Sequence, residues 1–347
     1  MRFVTAYATE SARAPFVRTK IERRNLGRDD VLIRIAYAGI CHSDIHTARE
    51  EWGSTIFPLV PGHEIAGVVE EVGPEVTRFA VGDRVGVGCL VDSCGECRHC
   101  RSGHQQFCNG LVGTYGGLGA DGQPTRGGYS THIVVTEGFV LQIPDEIPLD
   151  RAAPLLCAGI TLYSPLRHWN AGPGSRVAVV GLGGLGHMGV KFAHALGADV
   201  TVLTRTDAKA SDAIAMGARS VRATADGTVL KELGESFDLV LNTVSASIDI
   251  DAYLGLLEPD GTWVNVGAPD QPYSLGAFSL ITKRRSFAGS MIGGIPETQE
   301  MLDFAGSKGL GSDVEIIGGS DIDAAWERVV AGDVRYRFVI DTATFES

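Results

Sequence analysis

No run in this 347-residue sequence approaches the ~18 uninterrupted apolar residues that a membrane-spanning helix requires. The opening MRFVTAYATESARAPF lacks the charged head, apolar stretch and cleavage signature of a secretory leader, so a cytoplasmic location is expected. Positive charge is in deficit: 30 Lys and Arg face 42 Asp and Glu, a net charge of −12. That balance argues against nucleic acid or an anionic membrane surface as the main partner, because both select basic faces. Heptad arrays, low-complexity tracts and internal repeats are missing too, which excludes coiled-coil and solenoid architectures. Glycine, by contrast, is abundant (45 residues), and seven cysteines occur, four of them between Cys94 and Cys108. In a reducing compartment so tight a cluster points to metal before disulfides. The length exceeds one ordinary domain and predicts two.

Two textures alternate along the chain. Up to about residue 157, short β-branched runs bounded by Gly and Pro (DVLIRIAYAGI, EIAGVVEEVG, GDRVGVG, YSTHIVV) read as strands of an antiparallel, barrel-like domain. From about residue 172, SRVAVVGLGGLGHMGVKFAHALGADVTVLTRT reads as strand, glycine turn, helix and strand. FDLVLNTV and GTWVNVG add strands around the helical DAYLGLL, and this alternation predicts βαβ units and a parallel sheet. Beyond about residue 295 come a helix in ETQEMLDFAGSKG, the run VEIIG, a helix near IDAAWERVVAG and a closing strand RYRFVID. The βαβ block therefore reads as an insertion, with strands before and after it.

Gly181-Leu182-Gly183-Gly184-Leu185-Gly186 fits G-x-G-x-x-G between a strand and a helix, the context that makes the pattern a dinucleotide fingerprint. Gly181 allows the tight turn, Gly183 admits the pyrophosphate, Gly186 lets helix and strand approach, and free N–H groups at the helix start take the phosphate charge. The alternative is a glycine turn without a ligand. The second strand of the unit ends VTVLT, where an Asp or Glu would select NAD. Thr204, Arg205, Thr206 and Lys209 stand there instead, two hydroxyls and two cations suited to a 2′-phosphate, so NADP is expected. Asp207, the one acidic competitor, falls past the strand end.

Cys94-x2-Cys97-x2-Cys100-x7-Cys108 can close a four-thiolate tetrahedral zinc site with no open position, hence a structural one. An iron–sulfur cluster is disfavoured because seven residues precede the fourth Cys and Asn109 follows it. A nucleic-acid zinc ribbon is disfavoured by the acidic balance. Cys89 is expected to be a small buried hydrophobe. A second constellation is dispersed: Cys41, His63 with Glu64, and Cys157. Two Cys and one His with an open fourth position are the pattern of a catalytic zinc, although each residue alone has a packing explanation.

GICHSDIH, VPGHEIAGVVEEVG, GDRVGVGCLVDSCGECRHC, LLCAGITLYSPL, GLGGLGHMGVK, GSMIGGIPETQEMLDF and VRYRFVIDTA, in that order, resemble the zinc-containing medium-chain dehydrogenases. Within them the resemblance is to the cinnamyl-alcohol dehydrogenase-like branch of NADP-dependent alcohol dehydrogenases and aldehyde reductases. It implies an α/β protein with a GroES-like β-barrel-type catalytic domain, residues 1–157 and 295–347. A Rossmann doubly wound parallel-sheet domain for NADP(H), residues 158–294, lies between these two segments.

By the same resemblance Cys41, His63 and Cys157 ligate a catalytic zinc, one of two per chain, and Glu64 is an exchanging ligand. Ser43 and His46, three residues apart, are the implied proton relay, with helix capping and a plain surface histidine as their alternatives. Asp44 is the implied partner that orients the ligating histidine. Thr161, Thr243, Gly267, Ser290, Met291 and Ile292 fall where the family lines the nicotinamide half. Trp52, Met291 and Ile292 are pocket candidates that suit aromatic or medium aliphatic alcohols and aldehydes. Gly113, where plant enzymes carry a bulky aromatic, points to broad specificity. Arg337 receives no role. A homodimer through the Rossmann domain is expected. The competing readings are an NAD-linked polyol or sorbitol-type zinc dehydrogenase and a non-catalytic nucleotide-binding protein of the same fold.

Overall fold

The computed structural model describes residues 2–269 and 271–346. The chain divides into two compact units, Met1–Ile160 with Gly293–Ser347, and Thr161–Ile292. The crossings fall at 160/161 and 292/293 rather than at the expected 157/158 and 294/295. The first has no linker to mark it, because one continuous helix, Ala158–His168, runs through it.

In the first unit the strand Asp30–Gly39 is the organising element. It pairs antiparallel with Ile65–Val72, His132–Thr136 and Arg337–Asp341. Arg84–Val87 and Leu141–Gln142 continue the sheet beyond Ile65–Val72. The expected all-antiparallel pairing fails at the far edge, where Val314–Ile317 runs parallel to Arg337–Asp341. The helix Ile322–Ala331 between those two strands supplies the crossover that parallel pairing needs. Val31, Ile33, Ile35, Ile65, Val69, Val85 and Ile133 form one buried cluster of this unit. A second cluster gathers Val4, Ala6, Ile40, Ile45, Tyr129, Trp326, Phe338 and Phe345. It joins the hairpin Arg2–Ala8/Val17–Arg23 to the far end of the chain.

The second unit is a six-stranded parallel sheet. Its order is Ser220–Ala223, Asp199–Thr204, Arg176–Val180, Phe237–Asn242, Leu257–Asn265, Ser286–Gly289. Numbered along the chain this is 3-2-1-4-5-6, the doubly wound arrangement whose ligands bind beyond the carboxyl ends of the strands. Arg176–Val180 is central and reads VAVV because both faces are covered, so alternation is lost. The helix Gly186–Ala195 follows it directly through the glycine turn.

Candidate active site and metal centres

The dispersed constellation converges within the first unit. The amide of Gly39 donates to the Glu64 carbonyl (2.9 Å), so the end of one strand lies beside the start of its antiparallel neighbour. That pairing brings Cys41, just past the first strand, next to His63 and Glu64, just before the second. Cys157 closes a short turn, Ala153–Leu156, ahead of the helix Ala158–His168. Gly86 and Gly88 permit the approach of that turn, since a Cβ on either would stand 2.6 or 2.8 Å from Leu156. One ligand atom from each of Cys41, His63, Glu64 and Cys157 falls within 4.8 Å of the others, and all four residues are buried.

The donor set fits zinc. Cys41 Sγ and Cys157 Sγ are 3.9 Å apart, and His63 Nε2 is 3.2 Å from Cys157 Sγ. Zn–S bonds of ~2.3 Å in a tetrahedron place two sulfurs about 3.8 Å apart. His63 Nδ1 donates to Asp44 Oδ1 at 3.1 Å, which fixes the tautomer and leaves Nε2 as the free lone pair. Asp44 lies in the helix His42–Ala48 and is fully buried. Its carboxylate also accepts from the amides of Cys41 (3.0 Å) and Gly62 (3.2 Å) and from the Tyr129 hydroxyl (3.2 Å). The hydrogen bond with Cys157, aided by His63 and Arg337, outweighs burial and holds Cys41 well below the usual thiol range. A thiolate is the species a metal takes.

Glu64 is ion-paired with Arg337, both buried, while its Oε2 is buried without a hydrogen-bond partner among the described residues. Burial, opposed by Arg337, pushes the Glu64 carboxyl up to about 7. A lone orphaned oxygen inside a four-residue ligand set is the signature of an atom waiting on a cation.

The sequence left Arg337 without a role, yet it is the counter-charge of Glu64. The available signal was an Arg opening a strand, RFVID, that is apolar up to its closing Asp341, since a buried Arg needs a partner. Cys89 requires correction. It is half-buried rather than core, its Sγ is 3.9 Å from the Leu156 carbonyl, and hydrogen bonding to Cys157 lowers its pKa.

Ser43 Oγ is 3.6 Å from Cys41 Sγ, and Cys41, not Ser43, occupies the N-cap of the helix. Three residues on, His46 Nδ1 meets the Glu51 carboxylate, a partner not evident from sequence. The His46 ring stacks on Trp52 with centroids 4.8 Å apart. Trp52 is 55% exposed, so it is not a core residue of this unit.

The clustered cysteines form a separate group on a surface lobe. Sγ separations are 3.4 Å for Cys94–Cys108, 3.5 Å for Cys97–Cys100 and 3.9 Å for Cys94–Cys100, far beyond a disulfide and close to a tetrahedral edge. Amides of Cys97, Cys100 and Gly110 donate to the sulfurs of Cys94, Cys97 and Cys108. The Cys97 amide, then that of Glu96, draws the Cys94 thiol down to about 6.

In the second unit the glycine turn has the expected anatomy. Gly181 sits at φ +92°, and a Cβ on Gly186 would lie 2.1 Å from the Gly181 carbonyl oxygen. At Gly183 a Cβ would meet nothing within 4 Å, so the turn is open where a pyrophosphate must lie. Leu182 is buried and its carbonyl accepts from Lys209 Nζ (3.4 Å); Gly184 and Leu185 are half-buried. Strand Asp199–Thr204 ends at Thr204, leaving Arg205 and Thr206 exposed just beyond it and Asp207 further on. Thr243 Oγ1 donates to the Val180 carbonyl (2.7 Å), bracing the turn. Gly267 is required by the Val244 backbone, 2.3 Å from where its Cβ would be. The Ser290 amide donates to the Asn265 carbonyl, Met291 is 51% exposed, and Ile292 holds φ +37°, rare for a β-branched residue. Thr161 is buried in the helix Ala158–His168.

Residues 27–145 match the family model of the alcohol dehydrogenase GroES-like domain, and residues 184–307 that of the zinc-binding dehydrogenase. The chain is 59% identical to NADP-dependent alcohol dehydrogenase C 1 of Mycolicibacterium smegmatis across 100% of both sequences. It is similar to a cinnamyl alcohol dehydrogenase structure from Sorghum bicolor, with TM-score 0.96, 43% identity and coverage of 99% and 98% of the two chains. It is also similar to a Helicobacter pylori enzyme of that type solved with NADP(H), with TM-score 0.93, 42% identity and 98% of each chain covered.

Proposed function

Because the chain belongs to the zinc-containing medium-chain alcohol dehydrogenases, in their cinnamyl-alcohol dehydrogenase-like branch, we propose that it interconverts primary alcohols and aldehydes with NADP(H). The observation that carries this reading is the convergence of Cys41, His63, Glu64 and Cys157 beside the Ser43 hydroxyl. A zinc ion held there supplies Lewis acidity toward the substrate oxygen, and the reduced nicotinamide supplies hydride. The chain's own residues do the rest. Asp44 keeps the proton on His63 Nδ1, so that Nε2 faces the metal. Ser43 Oγ delivers a proton to the substrate oxygen as negative charge builds there, and His46 restores it from solvent, with Glu51 steadying the ring at Nδ1.

Cys94, Cys97, Cys100 and Cys108 are suited to hold a second, structural zinc, and elemental analysis should then return two zinc per chain. Thr204, Arg205, Thr206 and Lys209 take the 2′-phosphate of NADP. Thr161, Thr243, Gly267 and Ser290–Ile292 serve the nicotinamide half, and Trp52, Met291 and Ile292 line a broad pocket. The strand Ser286–Gly289 closes one side of the parallel sheet, and near it Phe278 and Ile281 are 74% and 67% exposed. An open strand edge, with bare apolar side chains on the helix that precedes it in the chain, fits pairing with a second copy, which sedimentation would detect. The thiolate chemistry belongs to the reducing cytoplasm.

The deciding assay follows NADPH consumption across aromatic and aliphatic aldehydes. Turnover of both classes supports a broad aldehyde reductase, and activity confined to polyols with NAD overturns it. Arg205→Asp should shift the NADPH-to-NADH preference by at least about tenfold, the worth of one charge-assisted hydrogen bond. An unchanged ratio removes the 2′-phosphate assignment.

A further inference from the structure

The Asp44 carboxylate accepts from the amides of Cys41 and Gly62 and the Nδ1–H of His63, and the Tyr115 side chain is hydrogen-bonded to it as well. A further donor comes from far along the chain. Tyr129, fully buried, donates its hydroxyl to Asp44 Oδ2 at 3.2 Å and accepts from the indole Nε1–H of Trp326 at 3.3 Å. Trp326 lies in the helix Ile322–Ala331, nearly two hundred residues later.

The same tyrosine touches His63 by a second route. Gly62, the residue before His63, holds φ +107°, and a Cβ there would lie 2.7 Å from the Tyr129 ring. The segment carrying the tyrosine is zippered to the segment carrying the histidine. Amides of Gly127, Gly128 and Tyr129 donate to the carbonyls of Val60, Gly62 and Pro61. Arg23 anchors that segment from behind, its buried guanidinium donating to the carbonyls of Arg126, Gly127 and His132 and to Ser130 Oγ.

We infer that Tyr129 and Trp326 are positioning residues of the metal centre, forming the chain Trp326 Nε1–H → Tyr129 O–H → Asp44 ← His63 that sets the aim and basicity of His63 Nε2. A carboxylate has about four lone-pair sites, and Tyr129 fills one of those on Oδ2, beside the Cys41 amide. Its O–H is polarised in turn by the indole, so each link strengthens the next. Removing the hydroxyl takes the longest-range donor from Oδ2, and the carboxylate is freer to rotate away from Nδ1. Burial first, and the charge of Asp44 second, push the phenol well above its ordinary range, so it stays a donor throughout the working pH.

This inference rests on His63 being a zinc ligand, and the test separates the two. Zinc is competed from wild-type protein, Tyr129→Phe and Trp326→Phe with a chelator of known affinity, following the two metal populations separately. If wild-type protein holds one zinc only, and Cys157→Ala leaves that content unchanged, the ligand reading fails and the inference with it. With two zincs present, Tyr129→Phe should loosen one by about three- to tenfold. That is less than the ~10–100-fold expected for a group bonded directly to a ligating histidine. The other zinc, on the surface lobe, should be unchanged and serves as an internal control.

The absorption bands of cobalt-substituted protein should shift in the same variant, a signature that a packing role alone would not move. Trp326→Phe should loosen the same zinc more weakly, and adding it to Tyr129→Phe should cost less than the sum of the two. Equal zinc affinity in wild type and Tyr129→Phe, or strict additivity of the two substitutions, would overturn the inference. A variant that fails to fold is replaced by the Arg23→Lys protein, which keeps both aromatic residues but loosens the tyrosine segment and should lower the affinity of the same zinc.

Discussion

The two cysteine groups present the same donor, sulfur, and are built in opposite ways. Cys94, Cys97, Cys100 and Cys108 lie within fifteen residues on a surface lobe, and their sulfurs are served by neighbouring backbone amides and the Ser93 hydroxyl. Cys41, His63, Glu64 and Cys157 come from three segments more than a hundred residues apart at the extremes, and they are buried. Their supports are side chains: Asp44 under His63 and Arg337 against Glu64. A local cluster can be stabilised by its own loop because amides are available wherever the chain turns. A dispersed one must recruit charges through the fold, and those charges are what allow its reactivity to be tuned.

Substitutions in the two groups should therefore fail differently. Cys157→Ala carries the largest effect: turnover abolished and one zinc lost, with NADPH binding largely intact by fluorescence titration. Retained turnover would erase the distinction at its root. Cys100→Ser should remove the other zinc and lower the melting temperature by at least about 5 °C, because a closed zinc site contributes to folding directly. Turnover measured well below that melting temperature should survive, and a full loss of activity at unchanged stability would exchange the roles of the two groups. Ser93→Ala removes one hydroxyl 3.2 Å from Cys100 Sγ. It should weaken the lobe zinc by about two- to fivefold, or ~0.5–1 kcal/mol, with no change in turnover.

The contrast also explains which parts were legible from sequence. The lobe was visible in spacing alone, and the glycine turn in its position between VAVV and a helix. Strands with strong β-branched runs, such as Asp30–Gly39 and Phe237–Asn242, were visible for the same reason. Ser220–Ala223 was not: it is a four-residue edge strand with every residue half-buried, and it carries no periodic signal. In the buried site the ligands themselves stood out as odd residues in family-like motifs. Arg337, Glu51, Tyr129 and Trp326 did not, because their roles exist only as distances to residues remote in sequence. The half-buried Cys89 was expected to be a core hydrophobe, and nothing near it in sequence reveals that Cys157 is its neighbour.

The position of Arg337 also bears on how the protein is made. The last of the four buried ligand-set residues, Cys157, is synthesised 180 residues before Arg337 (337 − 157). At bacterial or eukaryotic elongation rates that gap is about 9–36 s. Throughout it Glu64 lacks its counter-charge and the strand Asp30–Gly39 lacks its neighbour Arg337–Asp341, and for nearly all of it Tyr129 lacks the indole of Trp326. The inserted unit, Thr161–Ile292, is complete in sequence before that strand appears and can close first. The unit that begins the chain is thus the last to be finished, and a polypeptide cut short between Cys157 and Arg337 carries all four residues of the buried set but not the charge that balances Glu64.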